Sequence, residues 1–364
     1  MTAVRIAIIG ASGAIGVRHV GFLQKNPATE ACALVDTAPQ AEELARRNGI
    51  PFFADYRAML DEVRPDGVII ATPNRLHVPM ALDCIARGIP TLVEKPIADE
   101  IGPALELTAA AESSGVPVLI GHHRRHSPIV QRAVEVIKAG ELGQVVSAVA
   151  MHLRRKSDAY FKAQWRREEG GGPLLINGIH ELDTLRVLCG EIEELQATTS
   201  NAARGFAVED TAAITMRFQN GALGTLTLSD AVQASWAWEL SSGEDVRYAQ
   251  ELTNAFLICG TKGSLALPTL DLCWNERGGG EADPLLRKRL PIVPADPWYV
   301  EVDHFAKVIR GEEKPLVTPA DGVRTLAAIE AVKESARTRA WVRIDDLIDR
   351  HRTQPSPRQT GTRS

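Results

Sequence analysis

The sequence predicts two halves of different class: an α/β half with a doubly wound parallel sheet, then an α+β half with a large open, mainly antiparallel sheet. Three observations carry that reading. Short, near-continuous apolar runs alternate with longer helical stretches up to about residue 121, the rhythm that a parallel sheet with crossover helices requires. After Gly121 that rhythm breaks. Asn220-Gly221 then stands between two segments of alternating polarity, a strong hairpin signal. The expected boundaries are residues 1–121, residues 122–350, and a polar, proline-containing tail 351–364 that lacks periodicity and is expected to be disordered.

In the first half VRIAII, ACALVD, DGVIIA, PTLVE and VPVLIG read as strands covered on both faces. Between them PQAEELARRNG and HVPMALDCIARG read as helices, each ending at a glycine that can take a left-handed conformation. The second half predicts a helix near Ile129–Ala139, a strand near Val145–His152 and an apolar helix from Leu174 to Cys189. Strand pairs follow in EDTAAITMRFQNGALGTLTLSD and NAFLICGTKGSLAL, and helices return near Tyr299–Arg310 and Pro319–Thr338.

With 364 residues, 45 % of them apolar, the chain can bury more than one core. Its 41 basic and 46 acidic side chains are spread along the sequence for a formal charge of -5. That leaves no electrostatic footprint for a nucleic acid or an anionic membrane, so the expected partner is a small molecule. The five cysteines are widely spaced, with no CxxC pair, and read as small core groups in a reducing compartment. No uncharged run approaches a membrane span and the chain moves straight into a strand, so a cytoplasmic protein is expected.

After the first strand comes GASGAIG, with Gly10, Gly13 and Gly16 opening a helix. Glycines there permit a tight turn, and the main chain of Gly10, Ser12, Gly13, Ala14 and Ile15 is expected to approach a pyrophosphate favoured by the helix dipole. Asp36 closes the second strand, where a carboxylate can accept hydrogen bonds from adenosine ribose hydroxyls. Because that charge repels a 2′-phosphate, and Thr37 rather than an arginine follows, NAD is favoured over NADP. Two further strand ends reach the same sheet edge: ATPNRLH, with Thr72, Pro73, Asn74 and His77, and EKP, with Glu94 and Lys95. All six are expected to border the cofactor.

These stretches, followed by WRREEGGGPLLINGIHELD, have the order and approximate spacing of the Gfo/Idh/MocA family of nicotinamide-dependent oxidoreductases, which the chain resembles over roughly residues 4–345. The resemblance implies a Rossmann domain, a sheet domain for substrate binding and oligomerisation, and a homodimer or homotetramer. It also implies a dehydrogenase or reductase of CH–OH groups, moving a hydride to or from a secondary alcohol of a sugar, cyclitol or related cyclic diol. By position Lys95 matches the family's active-site lysine and His180 its active-site histidine. Asp183, three residues on, could orient the imidazole, and Asn177 would share its face. One departure stands out. Where many members carry an aspartate four residues before the histidine, this chain has Ile176, and Asn177 cannot take a proton, so the proton role falls to His180 and Lys95.

The run GHHRRHSP offers His122 and His126 at i, i+4, but Arg124 and Arg125 between them oppose a dication and no carboxylate accompanies them, so no metal is expected. By resemblance the run borders the substrate pocket, with His123 and Arg125 holding substrate hydroxyl or carboxylate groups. Trp165 is a further pocket-wall candidate, with Tyr160 and Arg154 behind it. The alternatives are a dehydrogenase of a carboxylated ring diol, such as an aromatic dihydrodiol acid, and a non-catalytic dinucleotide-binding regulator on the same scaffold.

Overall fold

The computed structural model describes residues 2–276 and 282–353. Two compact units emerge: the first comprises the chain up to His123, Trp298–Leu326 and the segment from Ile348 on, the second Arg124–Pro297 and Ala327–Leu347. The predicted boundary after Gly121 thus falls two residues early, and the two late segments of the first unit were not foreseen. Of the predicted tail, residues 354–364 lie outside the described residues, while His351, Arg352 and Thr353 complete a helix that begins at Ile344.

The first unit is a parallel sheet of β1 (Val4–Ile9), β2 (Thr29–Val35), β3 (Phe52–Phe53), β4 (Gly67–Ile70), β5 (Thr91–Glu94) and β6 (Val118–Gly121), ordered β3-β2-β1-β4-β5-β6. This is the doubly wound Rossmann arrangement, with its switch point between β1 and β4. Helices α1 (Ala14–Lys25), α2 (Pro39–Asn48), α3 (Tyr56–Val63), α4 (His77–Ile85) and α5 (Ile101–Ser114) make the crossovers. Sequence reading missed β3 and α3; the latter starts because the Asp55 carboxylate accepts the N–H groups of Arg57 and Ala58. Ile6, Ile8, Ile69 and Leu92 are wholly buried, as strands covered on both faces require. Part of that cover comes from late in the chain. A Cβ at Gly67 would stand 2.4 Å from the Ile309 side chain, so glycine lets the helix Pro297–Ile309 close on the sheet.

The second unit opens with α6 (Pro128–Lys138), where Ser127 caps Ile129 and Val130 and proline takes the first turn. One sheet follows: β7 (Val145–Leu153), β8 (Ile192–Ser200), β9 (Thr211–Phe218), β10 (Leu223–Ser229), β11 (Phe256–Gly260), β12 (Gly263–Leu267), β13 (Asp271–Trp274), β14 (Leu286–Arg289) and β15 (Val342–Arg343). Its order is β14-β13-β12-β11-β7-β10-β9-β8-β15, antiparallel except for β7 beside β10. The hairpin forms where Asn220-Gly221 places it, with Gly221 at φ +87°. Alternation of burial along β9 and most of β10 leaves one face to solvent, with Val149 and Leu257, paired across strands, among its apolar residues. The helix α7 (Ile179–Cys189) packs on β7, and the predicted helix from Leu174 forms, with its first residues Leu174–Gly178 as a π-helical turn that runs straight into α7.

Candidate active site

In the first unit the sheet edge at the ends of β1, β4 and β5 is shaped by main chain. Gly10 has φ +86°, and a Cβ there would lie 2.6 Å from the Ala71 carbonyl oxygen; one on Gly16 would lie 2.2 Å from that of Gly10. Only glycine fits either place. At Gly13 the nearest atom to such a Cβ is 3.5 Å away. Gly13 is the N-cap of α1, with no side-chain cap and no acid in the first turn of Ala14, Ile15 and Gly16. An uncapped helix start behind a glycine turn suits a pyrophosphate, so the residues present fit a dinucleotide.

Asp36 sits beside this turn as expected. The N–H and hydroxyl of Ser12 both donate to Asp36 Oδ2, at 2.9 and 2.7 Å, while Ala38 N–H donates to Oδ1 at 3.0 Å. Ser12 therefore braces the acid through both groups. Burial pushes the Asp36 carboxyl up, but the Ser12, Ala38 and Thr37 bonds outweigh it and hold it below the usual range.

At the second strand end, Thr72, Pro73 and Asn74 lead into a 3-10 turn before α4. His77, expected to border the cofactor, follows in the first turn of α4. Its ring is buried, with Nδ1 2.8 Å from the Pro96 carbonyl and Nε2 2.8 Å from the Thr72 carbonyl. The imidazole ties the two strand-end turns together. Burial holds its pKa below the ordinary value against the pull of those carbonyls and of Glu94 and Asp99.

Glu94 is likewise an anchor. Its Oε1 lies 2.7 Å from His19 Nε2, and its Oε2 accepts the main-chain N–H of Lys95 at 3.2 Å, just before a cis Lys95–Pro96 peptide. Behind it stands Glu301, fully buried, and one ligand atom from each of His19, Glu94 and Glu301 lies within 4.8 Å of the others. Two buried carboxylates so close cannot both ionise. Burial and then the Glu94 charge raise the Glu301 carboxyl well above its usual range, whereas Glu94, although burial pushes it up, is held low by His19, Lys95 and His77. His123 is stacked flat on Trp298, ring centres 3.6 Å apart, with the Arg18 guanidinium 3.8 Å from the Trp298 ring centre. One face of its ring is thus closed to substrate.

In the second unit charge does the positioning. Arg124, buried, donates to Glu181 at 2.7 Å and to Glu239 at 3.0 Å, and His152 Nδ1 lies 3.0 Å from Glu181. The guanidinium stands where this His and carboxylate cluster would otherwise invite a metal. Arg125 forms a two-pronged bond to Asp183, at 2.9 and 2.7 Å, with Arg186 3.5 Å away. The Arg125 fork thus grips Asp183, and two arginines stand against that carboxylate. His180 is nearly buried in the first turn of α7, and Asn177, also nearly buried, has no hydrogen-bond partner for Oδ1 among the described residues. Trp165 is about half exposed, at 54 %. Sequence reading missed Glu209, which accepts the Leu174 N–H at 2.9 Å and packs where a Cβ on Gly172 would stand, fixing the glycine run before the π turn.

Comparison with known proteins agrees with this frame. Residues 4–122 match the model of an oxidoreductase family with an NAD-binding Rossmann fold, and residues 130–266 match the Gfo/Idh/MocA C-terminal domain. The rhizopine catabolism protein MocA of Rhizobium meliloti is 30 % identical over 92 % of this chain and 95 % of its own. An NADP-dependent D-xylose 1-dehydrogenase of Haloferax volcanii is 25 % identical over 93 % and 99 %. Among solved structures, a putative NADPH-dependent oxidoreductase of Desulfitobacterium hafniense superposes with TM-score 0.81 at 22 % identity, covering 96 % of this chain and 99 % of that one. With a glycine-cradled helix start, Asp36, EKP and the GGG…His180 segment in place, the chain belongs to the Gfo/Idh/MocA family of oxidoreductases.

Proposed function

We propose that the protein is an NAD-dependent dehydrogenase, or reductase in reverse, of a secondary alcohol on a sugar, cyclitol or related cyclic diol. The observation that carries this reading is the sheet edge of the first unit, where Gly10, Gly16 and Asp36 frame one end and Lys95, pinned through Glu94, stands at another. The nicotinamide cofactor supplies the hydride acceptor. Lys95 and His180 share the alcohol proton, the imidazole as base and the ammonium as donor to the oxygen as charge develops. Asn177 orients a hydroxyl and holds no proton of its own. The Asp36 carboxylate favours NAD over NADP, in contrast to the xylose relative.

The test is NADH formation across sugars, inositols and ring diols, each with NAD and with NADP. Turnover with NAD is expected, with NADP at least about tenfold poorer in kcat/KM. Lys95→Ala should lower kcat by about a hundredfold or more while NADH still binds; unchanged turnover removes this mechanism. NADH binding without turnover of any alcohol would support a regulator instead. The open sheet face, with Val149 and Leu257 at its surface, suits pairing of subunits as a homodimer or homotetramer, which sedimentation would read directly.

A further inference from the structure

Beyond β7 the chain of the second unit continues through Arg154 and Lys156, whose N–H groups bond to the carbonyls of Ser229 and Asp230 at 3.2 and 2.8 Å. Their side chains gather with Arg166 around two phenols. Arg166 lies 3.8 Å from the centre of the Tyr160 ring and donates to the Tyr160 carbonyl at 2.8 Å, and Lys156 lies 4.6 Å from the same ring. Arg154 lies 4.8 Å from the centre of the Tyr248 ring.

The nearest carboxylates are engaged by other cations. Asp230 takes Arg204 at 2.7 Å and stands 3.9 Å from Lys156. Glu239 takes Arg124 at 3.0 Å and stands 3.9 Å from Arg154. Arg166 has no carboxylate partner among the described residues. Arg166 thus stands in this group with no carboxylate of its own among the described residues, and Arg154 stands 3.9 Å from a carboxylate that Arg124 holds at 3.0 Å, an arrangement that an anionic ligand relieves. Its place is informative. His152, two residues before Arg154, contacts Glu181, the neighbour of His180, so the group flanks the first turn of α7.

We infer that Arg154, Lys156 and Arg166 form the receptor for a substrate carboxylate, so that the alcohol oxidised belongs to an acid, either a sugar acid or a carboxylated ring alcohol. This rests on the dehydrogenase reading above. Arginine forks grip a carboxylate bidentately, and the Tyr160 and Tyr248 rings lie against the same cations.

The test takes pairs that differ in one carboxylate: glucuronate against glucose, and a dihydroxycyclohexane carboxylate against cyclohexanediol. In at least one pair kcat/KM should favour the acid by about tenfold to a hundredfold, and the responding pair tells sugar acid from ring acid. That ratio should fall toward one in Arg166→Gln and in Arg154→Gln. Because it is taken within each variant, loss of folded protein cancels. Equal values within both pairs, or an acid preference that survives both substitutions, overturn the inference. Where no member is turned over, the Tm of the NADH-loaded protein still decides: a larger rise with the acids supports the receptor while counting against the dehydrogenase, and equal rises overturn the receptor.

Discussion

The two units position their chemistry by different means. In the first, the main chain does it: Gly10 and Gly16 let strands and helix approach, His77 clips two carbonyls, and Glu94 pins the N–H of Lys95. In the second, buried ion pairs do it, and their members are 57, 58 and 115 residues apart in Arg124–Glu181, Arg125–Asp183 and Arg124–Glu239. Main-chain devices tolerate no added volume, whereas ion-pair devices tolerate no loss of a partner. The difference predicts which substitutions each unit will not bear.

The largest effect is expected from the Arg125–Asp183 pair. Asp183→Ala leaves a buried guanidinium without its fork and should cost about 3–5 kcal/mol in urea unfolding. Replacing both, Arg125→Met with Asp183→Leu, should recover most of that, and a double variant as weak as the single would contradict positioning by charge. In the first unit Gly16→Ala forces a Cβ to 2.2 Å from the Gly10 carbonyl oxygen. It should cost about 1–3 kcal/mol and weaken NADH binding measured by fluorescence titration. Wild-type affinity there would mean the turn yields.

The smallest effect concerns Glu301. Its carboxyl is raised in the folded protein above an ordinary value of 4.5, so the folded state keeps a proton that the unfolded chain releases. The stability this gives is complete below about 4.5 and is lost as the pH rises toward the folded value. Glu301→Gln removes that loss. The Tm of the variant relative to wild type should therefore climb with pH above 4.5, and a constant difference would show Glu301 to be ionised.

Much of the first unit was legible because its devices are local in sequence. Glycine punctuation, apolar strands and EKP name themselves, and an acid at a strand end needs only a position. What stayed hidden there were contacts made by distant residues: Glu301 behind Glu94, Trp298 against His123, and the use of both His77 nitrogens. In the second unit the strands and the Asn220-Gly221 hairpin were readable from alternation, but the site was less so. Arg125 and Asp183 are both candidates by position, but nothing in the sequence announces that they pair with each other. The π turn at Leu174–Gly178 carries no periodicity that separates it from an α-helix, so the sequence shows only one continuous helix there.

One consequence follows from the helix Pro297–Ile309 closing over Gly67. Phe305 and Ile309 supply apolar cover to a strand laid down more than two hundred positions earlier. An exchange of the first 121 codons between relatives would therefore transplant a nucleotide module without its lid of side chains, and the graft would inherit whatever fit the recipient's late helix happens to offer. Chimeras cut instead to carry residues 298–326 along with the N-terminal segment should express as soluble, cooperatively melting protein where the simple fusion does not.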